Sequence, residues 1–133
     1  MKLLFNPESN IRFDLMYDDL VGPLREVISE RNYGDSVTTF MASFRIMTDD
    51  YLREFTRPGG ITRYSPKHRT LIVVRNIDYE TFGLGSPEVR MKLVADCIRR
   101  IFAESDQTRL KPKEYDKDRL CADVEAFLQS RGL

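Results

Sequence analysis

The chain has few of the side chains that build catalytic and metal centres. Its 133 residues include one histidine, His68, and two cysteines, Cys97 and Cys121. One histidine excludes the HExxH zinc motif, and two distant cysteines cannot supply the four ligands, usually in close pairs, of a structural zinc site. We therefore predict no metal and no cofactor. The cysteines are expected to be small, unpaired core residues on apolar helix faces.

The chain also lacks an excess of either charge and any long apolar run. Its 21 basic and 21 acidic side chains cancel, so the total gives no sign of nucleic-acid binding, although a local patch can differ from the total. No apolar stretch approaches the roughly 20 residues that cross a membrane, and MKLLFNPESN does not resemble a secretory signal peptide. We predict a cytoplasmic protein without membrane contact.

What the chain does contain is the composition of an ordinary globular domain, with 41% hydrophobic and 32% charged residues. We expect one domain over residues 1–133. Apolar and polar residues alternate in TTFMASFRIM, which predicts a strand, and ITRY and TLIVVRNI flank SPKH as a hairpin. Residues 71–74 are apolar on both faces, which indicates a central strand. LLF at residues 3–5 is a candidate for a fourth.

Three segments show the helical spacing of apolar residues. The first is predicted to start at Asp19 as its cap, to carry Pro23 in its first turn and to stop at Gly34. The second is capped by Ser86, and the third begins near Asp116. Together the elements predict an α+β fold: an antiparallel β-meander of three to four strands with about three helices packed mainly on one face.

The only histidine lies in the hairpin connection, between Lys67 and Arg69. General acid–base catalysis needs an orienting partner and a sheltered site, whereas a hairpin tip is wet and flanking cations disfavour a protonated imidazole. The GLGS turn before the second helix lacks the lysine of a P-loop and the third glycine of a dinucleotide fingerprint. We therefore predict an exposed structural His68, no catalytic residue and no enzymatic activity.

One strip of the sequence is basic. Residues 61–75 carry no acidic side chain and four cations: Arg63, Lys67, Arg69 and Arg75. Tyr64 lies among them, and proteins that bind single strands combine cations with aromatic rings in this way. A charged hairpin that only discourages aggregation has the same pattern, and four cations give a small electrostatic contribution. RNA or single-stranded nucleic acid is therefore the less favoured partner, through Arg63, Tyr64, Lys67 and Arg69.

Acidic side chains cluster in two places, each beside a tyrosine. Paired carboxylates can hold magnesium, but scattered acids and one histidine give little support to a metal-dependent enzyme. Aromatic residues within charged rims are common at protein interfaces, and a solvated acidic loop is the structural alternative. The candidate partner-binding residues are Asp14, Tyr17, Asp18, Asp19, Asp49, Asp50, Tyr51 and Glu54.

The run from TTFMASFRIM through TRYSPKHRTLIVVRNIDYETFG to SPEVRMKLVADCIRRIF resembles the small α+β immunity proteins of bacterial polymorphic and contact-dependent toxin systems. The likeness covers about residues 37–104: a strand, a basic hairpin, the IDYETF segment and a capped helix. It implies a non-catalytic protein that binds a cognate toxin in the cytoplasm of the producing cell and blocks the toxin's active site or its route to substrate. Many such toxins are nucleases with basic clefts, which acidic clusters would complement.

Overall fold

The computed structural model describes residues 1–5, 15–47, 60–78 and 82–133. Four strands and three helices lie within these ranges, and they confirm the predicted α+β class and the approximate number of elements. The elements are β1 (Lys2–Phe5), α1 (Leu15–Ser29), β2 (Thr39–Met47), β3 (Ile61–Ser65), β4 (Thr70–Asp78), α2 (Pro87–Ala103) and α3 (Lys117–Ser130).

The strands form one mixed sheet in the order β1-β2-β4-β3. β1 and β4 both run parallel to β2, while β3 runs antiparallel to β4. The predicted antiparallel meander was wrong, because β4 lies between β2 and β3 and separates two strands that are consecutive in the chain. Parallel neighbours need long connections, and here α1 joins β1 to β2 while residues 48–69 join β2 to β4. The central position predicted for β4 is confirmed.

The hydrophobic core lies between one face of the sheet and the three helices. Leu3, Phe40 and Leu71 are neighbours in register on β1, β2 and β4, and all three are buried. The Phe40 ring packs against Phe102 of α2, with ring centroids 4.8 Å apart. Burying each such side chain contributes about 1.5–3 kcal/mol. The helices supply most of the remaining core: Leu20, Leu24, Ile28, Val94, Ile98, Ile101, Leu120, Val124 and Leu128.

The starts of α2 and α3 were predicted correctly. The hydroxyl of Ser86 accepts a hydrogen bond from the N–H of Val89 at 3.3 Å, and Pro87 occupies the first turn. The carboxylate of Asp116 accepts one from the N–H of Arg119 at 3.1 Å. Both side chains satisfy N–H groups that have no partner within their helix.

The start of α1 was predicted wrongly. The helix begins at Leu15, so Asp19 and Pro23 lie inside it and not at its start. Pro23 has no N–H to donate to the carbonyl group of residue 19, and this missing hydrogen bond was the reason to place it in the first turn. The helix continues past this missing hydrogen bond because Leu20 and Leu24 are both buried in the core.

Candidate partner-binding surfaces

The predicted acidic surface lies only partly within the described residues. Asp19 is exposed on α1. Tyr17 and Asp18 precede it in the same helix, where the structure describes their backbone. The five remaining candidates, Asp14, Asp49, Asp50, Tyr51 and Glu54, lie outside the described residues. Asp19 is therefore the one candidate of the eight whose side-chain surroundings the structure describes.

An open groove of about 270 Å³ lies beside Asp19. Its lining includes Asp19 and Leu20 from α1, Met91 from α2, and Arg131 and Leu133 after α3. Met91 and Leu133 are half-buried, so the groove combines apolar walls with one carboxylate and one guanidinium. These described lining residues can receive a side chain of a partner, and they include no nucleophile and no general base other than the Asp19 carboxylate.

The basic hairpin predicted from the sequence consists of β3, β4 and the turn between them. Arg63, Lys67, His68 and Arg69 are all exposed. Arg69 has a φ angle of +48°, and its carbonyl oxygen accepts a hydrogen bond from the N–H of Thr38 at 2.9 Å. This bond joins the turn to the start of β2, so the cations extend from a fixed backbone.

Tyr64 and Arg75, two residues of the basic strip, are not available on the surface as the sequence pattern suggested. The ring of Tyr64 packs against the core, and its hydroxyl donates to the carbonyl oxygen of Ser36 at 2.7 Å. Arg75 is buried and pairs with Glu104. Tyr64 is therefore not free to stack on a base, and Arg75 adds no exposed charge.

A second basic segment, missed in the sequence, lies beside Ser36. The hydroxyl oxygen of Ser36 accepts a hydrogen bond from the N–H of Glu114 at 2.9 Å, and the N–H of Ser36 donates to the carbonyl oxygen of Glu114 at 3.1 Å. Because Ser36 also binds Tyr64, it connects the hairpin to the segment RLKPK. That segment contains no acidic side chain and three exposed cations: Arg109, Lys111 and Lys113.

We call these exposed cations from the two segments the basic end of the molecule: Arg63, Lys67, Arg69, Arg109, Lys111 and Lys113. The sequence did hold a signal, since SPKHR and RLKPK each place a proline among cations without an acid. The two segments are some 40 residues apart in the chain, and contacts of residues 33–38, chiefly those of Ser36, bring them together.

Residues 33–38 connect the basic end to α3 through hydrogen bonds. Tyr33 is buried, its hydroxyl donates to Asp123 Oδ2 at 2.6 Å, and its carbonyl oxygen accepts a hydrogen bond from the N–H of Asp116 at 2.8 Å. Gly34 has a φ angle of +110°, and a Cβ atom there would lie 2.1 Å from the carbonyl oxygen of Glu114. A glycine is required at position 34 because the backbone there lies against the carbonyl group of Glu114.

Asp123 is the charged centre of this attachment. It accepts the Tyr33 hydroxyl and forms an ion pair with Arg31, whose Nη1 lies 2.7 Å from Oδ1. Burial alone would raise the pKa of Asp123, but the hydrogen bonds from Tyr33 and Arg31 outweigh burial and hold the pKa below its ordinary 3.8. Burial, together with the bond to Asp123, raises the pKa of Tyr33.

The described residues contain no group of three or more His, Cys, Asp or Glu side chains that could hold a metal. Cys97 is buried in the core as predicted, Cys121 is half-buried, and both are free thiols. Burial raises the pKa of Cys97 to about 12 and also raises that of Cys121, which disfavours the thiolate form at neutral pH. Within the same residues, every helix is too short or too polar to cross a bilayer.

A family model described as Immunity protein 44 matches residues 1–130. The chain belongs to the immunity protein 44 family. The match confirms the immunity-protein prediction and extends beyond the resemblance over about residues 37–104, since it takes in β1, α1 with Asp19 and all of α3. No curated protein and no solved structure matched the chain.

Proposed function

We propose that this immunity protein 44 family member binds a cognate toxin in the cytoplasm and neutralises it by covering the toxin's active site. The family match over residues 1–130 carries the proposal. Inhibition by binding needs a complementary surface and no chemistry of its own. The protein therefore acts stoichiometrically, as one folded domain, and without catalysis.

The contact surface that we propose is acidic. Asp19 is exposed beside a groove with apolar walls, and a carboxylate at such a place steers and orients a basic partner surface. Asp14, Asp18, Asp49, Asp50 and Glu54 would add to this charge, and Tyr17 and Tyr51 would act as aromatic anchors. A basic substrate cleft, as in a nuclease, is the kind of toxin site that this surface would fit.

Co-expression with a candidate toxin domain, sought among the neighbouring genes of the native genome, tests the function. We expect growth arrest by the toxin alone, restored growth when the immunity protein is present, and a 1:1 complex by calorimetry. Persistent growth arrest, together with no complex between the purified proteins, would contradict the proposed function.

A pair of charge reversals on α1 tests the acidic surface. Asp19→Lys is expected to weaken toxin binding at least about tenfold at low salt, because like charges then face each other. Glu26→Lys is the matched control, since Glu26 is exposed on the same helix and changes the net charge equally. Wild-type affinity of the Asp19→Lys variant would remove Asp19 from the interface.

A further inference from the structure

The basic end carries an excess of positive charge among the described residues. Within the described residues, no ion pair involves Arg63, Lys67, Arg69, Arg109, Lys111 or Lys113. The nearby exposed acids Asp35 and Glu114 reduce the local charge but leave cations in excess. Since the whole chain is neutral, this excess is a local feature, and it attracts a negatively charged surface.

Both segments of the basic end have a fixed backbone. In the hairpin turn, the N–H of Arg69 donates to the carbonyl oxygen of Pro66 at 3.3 Å. Thr108, directly before the second segment, donates its hydroxyl to the carbonyl oxygen of Leu110 at 2.6 Å. The N–H of Thr108 donates to the carbonyl oxygen of Asp106 at 2.8 Å. A surface that is ordered before binding loses less conformational entropy on binding.

An apolar side chain lies among the cations. Leu110 is 60% exposed, between Arg109 and Lys111. Protein interfaces commonly combine an apolar contact with a charged rim. The cations would direct the approach of an acidic surface, and Leu110 would fill an apolar depression in it.

The composition of the basic end favours a protein over a nucleic acid. Single strands bind through cations together with free aromatic faces, and the ring of Tyr64 is packed against the core. The exposed carboxylates of Asp35 and Glu114 would repel phosphates, whereas a protein surface of mixed charge can pair with them.

We propose that the basic end is a second toxin-contacting surface, which docks on an acidic patch of the same toxin. This inference rests on the proposed function. The N–H of Leu3, near the start of β1, donates to the hydroxyl of Ser29 at 3.4 Å. The start of β1 lies beside the start of β2, which the hairpin turn contacts. The last turn of α1 therefore lies towards the basic end. Asp19 lies ten residues earlier in α1, about 15 Å away along its axis. The acidic and basic surfaces therefore contact separate regions of the toxin.

The test compares two double charge reversals with the same change in net charge. Lys67→Glu combined with Lys111→Glu alters one exposed lysine in each segment of the basic end. Arg25→Glu combined with Lys92→Glu alters exposed cations on α1 and α2. Affinity for the purified toxin domain, with its active site inactivated, is measured by calorimetry at low and high salt, and thermal unfolding verifies that both variants fold.

We expect the Lys67/Lys111 variant to lose at least about tenfold in affinity at low salt, with a smaller loss at high salt because screening weakens exposed charges. The Arg25/Lys92 variant should bind like the wild type. If the wild type binds toxin and both variants match it, the second contact surface is wrong while the proposed function stands. If the wild type binds no toxin, both fail.

A fluorescently labelled 20-nucleotide oligo(dT) serves as the nucleic-acid probe. We expect no binding at physiological salt. Salt-dependent binding that the Lys67/Lys111 variant loses would overturn the assignment to a protein partner and would favour the nucleic-acid alternative.

Discussion

Arg75 and Glu104 form an ion pair at the edge of the hydrophobic core, with Arg75 Nε 2.5 Å from Glu104 Oε2. The Arg75 side chain is 4% exposed. Its terminal nitrogens donate to the carbonyl oxygens of Ile61 and Val74 and to Thr62 Oγ1. One guanidinium therefore ties β3 and β4 to the end of α2, and its burial is tolerated because each of its three nitrogens has an acceptor.

Glu104→Ala should destabilise the fold by about 3 kcal/mol, because it leaves the buried Arg75 without its counter-charge; Glu104 is partly exposed, so we expect the low end of the range for buried pairs. Chemical denaturation measures the free energy of unfolding. Asp96→Ala is the control on the same helix, since its pair with Arg99 is exposed and should cost less than about 1 kcal/mol. Equal losses would contradict the structural role of Arg75.

Gly34→Ala should destabilise the protein by at least about 1–3 kcal/mol, because the new methyl group would collide with the carbonyl group of Glu114 and the φ angle of +110° strains an alanine. Gly22→Ala is the control. Gly22 lies inside α1, where a methyl group would have nothing within 4 Å, and alanine there should stabilise the helix by about 0.5–1 kcal/mol. Thermal unfolding of both variants gives the comparison. If Gly34→Ala were as stable as the wild type, the backbone of Gly34 would not lie close to the carbonyl group of Glu114.

The error in the predicted meander was detectable from one strand of the sequence, and the inference was not carried through. Residues 71–74 are apolar on both faces, which requires β4 to have neighbours on both sides. An antiparallel meander of β2, β3 and β4 would place β3 in the centre instead. With β3 on one side through the hairpin, β1 and β2 were both candidates for the other side, and the structure places β2 there, parallel to β4.

The burial of Arg75 was also readable from the alternation of β4. Leu71, Val73, Arg75 and Ile77 share one face of the strand, and that face meets the helices. Counting charge along the strip placed Arg75 on the surface because a count ignores the period of two. The meeting of residues 63–69 with 109–113 was not readable, since it depends on hydrogen bonds of Ser36 across long stretches of the chain.

Asp123→Asn should lower stability at neutral pH by about 1–2 kcal/mol, because a neutral amide accepts weaker hydrogen bonds from Tyr33 and Arg31. The pKa of Asp123 is lower in the folded state than its ordinary 3.8. Its ionised form therefore stabilises the fold at pH values well above 3.8, and this contribution is lost as the pH falls through the lowered pKa. Denaturation of wild type and variant between pH 7 and pH 2.5 should give two stability curves that converge at the acidic end.

Tyr33→Phe separates the effect of the hydroxyl from that of the carboxylate. It removes one donor to Asp123 and keeps the buried ring, so the pKa of Asp123 should rise towards its ordinary value. The acid-induced loss of stability would then be smaller than in the wild type and complete at a higher pH, because its onset is set by the unfolded-state pKa and its end by the folded-state pKa. A stability difference between Asp123→Asn and wild type that stays constant down to pH 2.5 would contradict the lowered pKa.

The two thiols should react at different rates with a maleimide or disulfide reagent at pH 8. Cys97 is 4% exposed and has a pKa of about 12, so only about one molecule in 10⁴ carries its thiolate at that pH. Cys121 is half-buried and should react first, whereas Cys97 should react only as fast as the fold opens. Cys121→Ser should abolish the fast phase, and Cys97→Ser should keep it. Two equal rates in the native protein would mean that α2 does not hold Cys97 in the core.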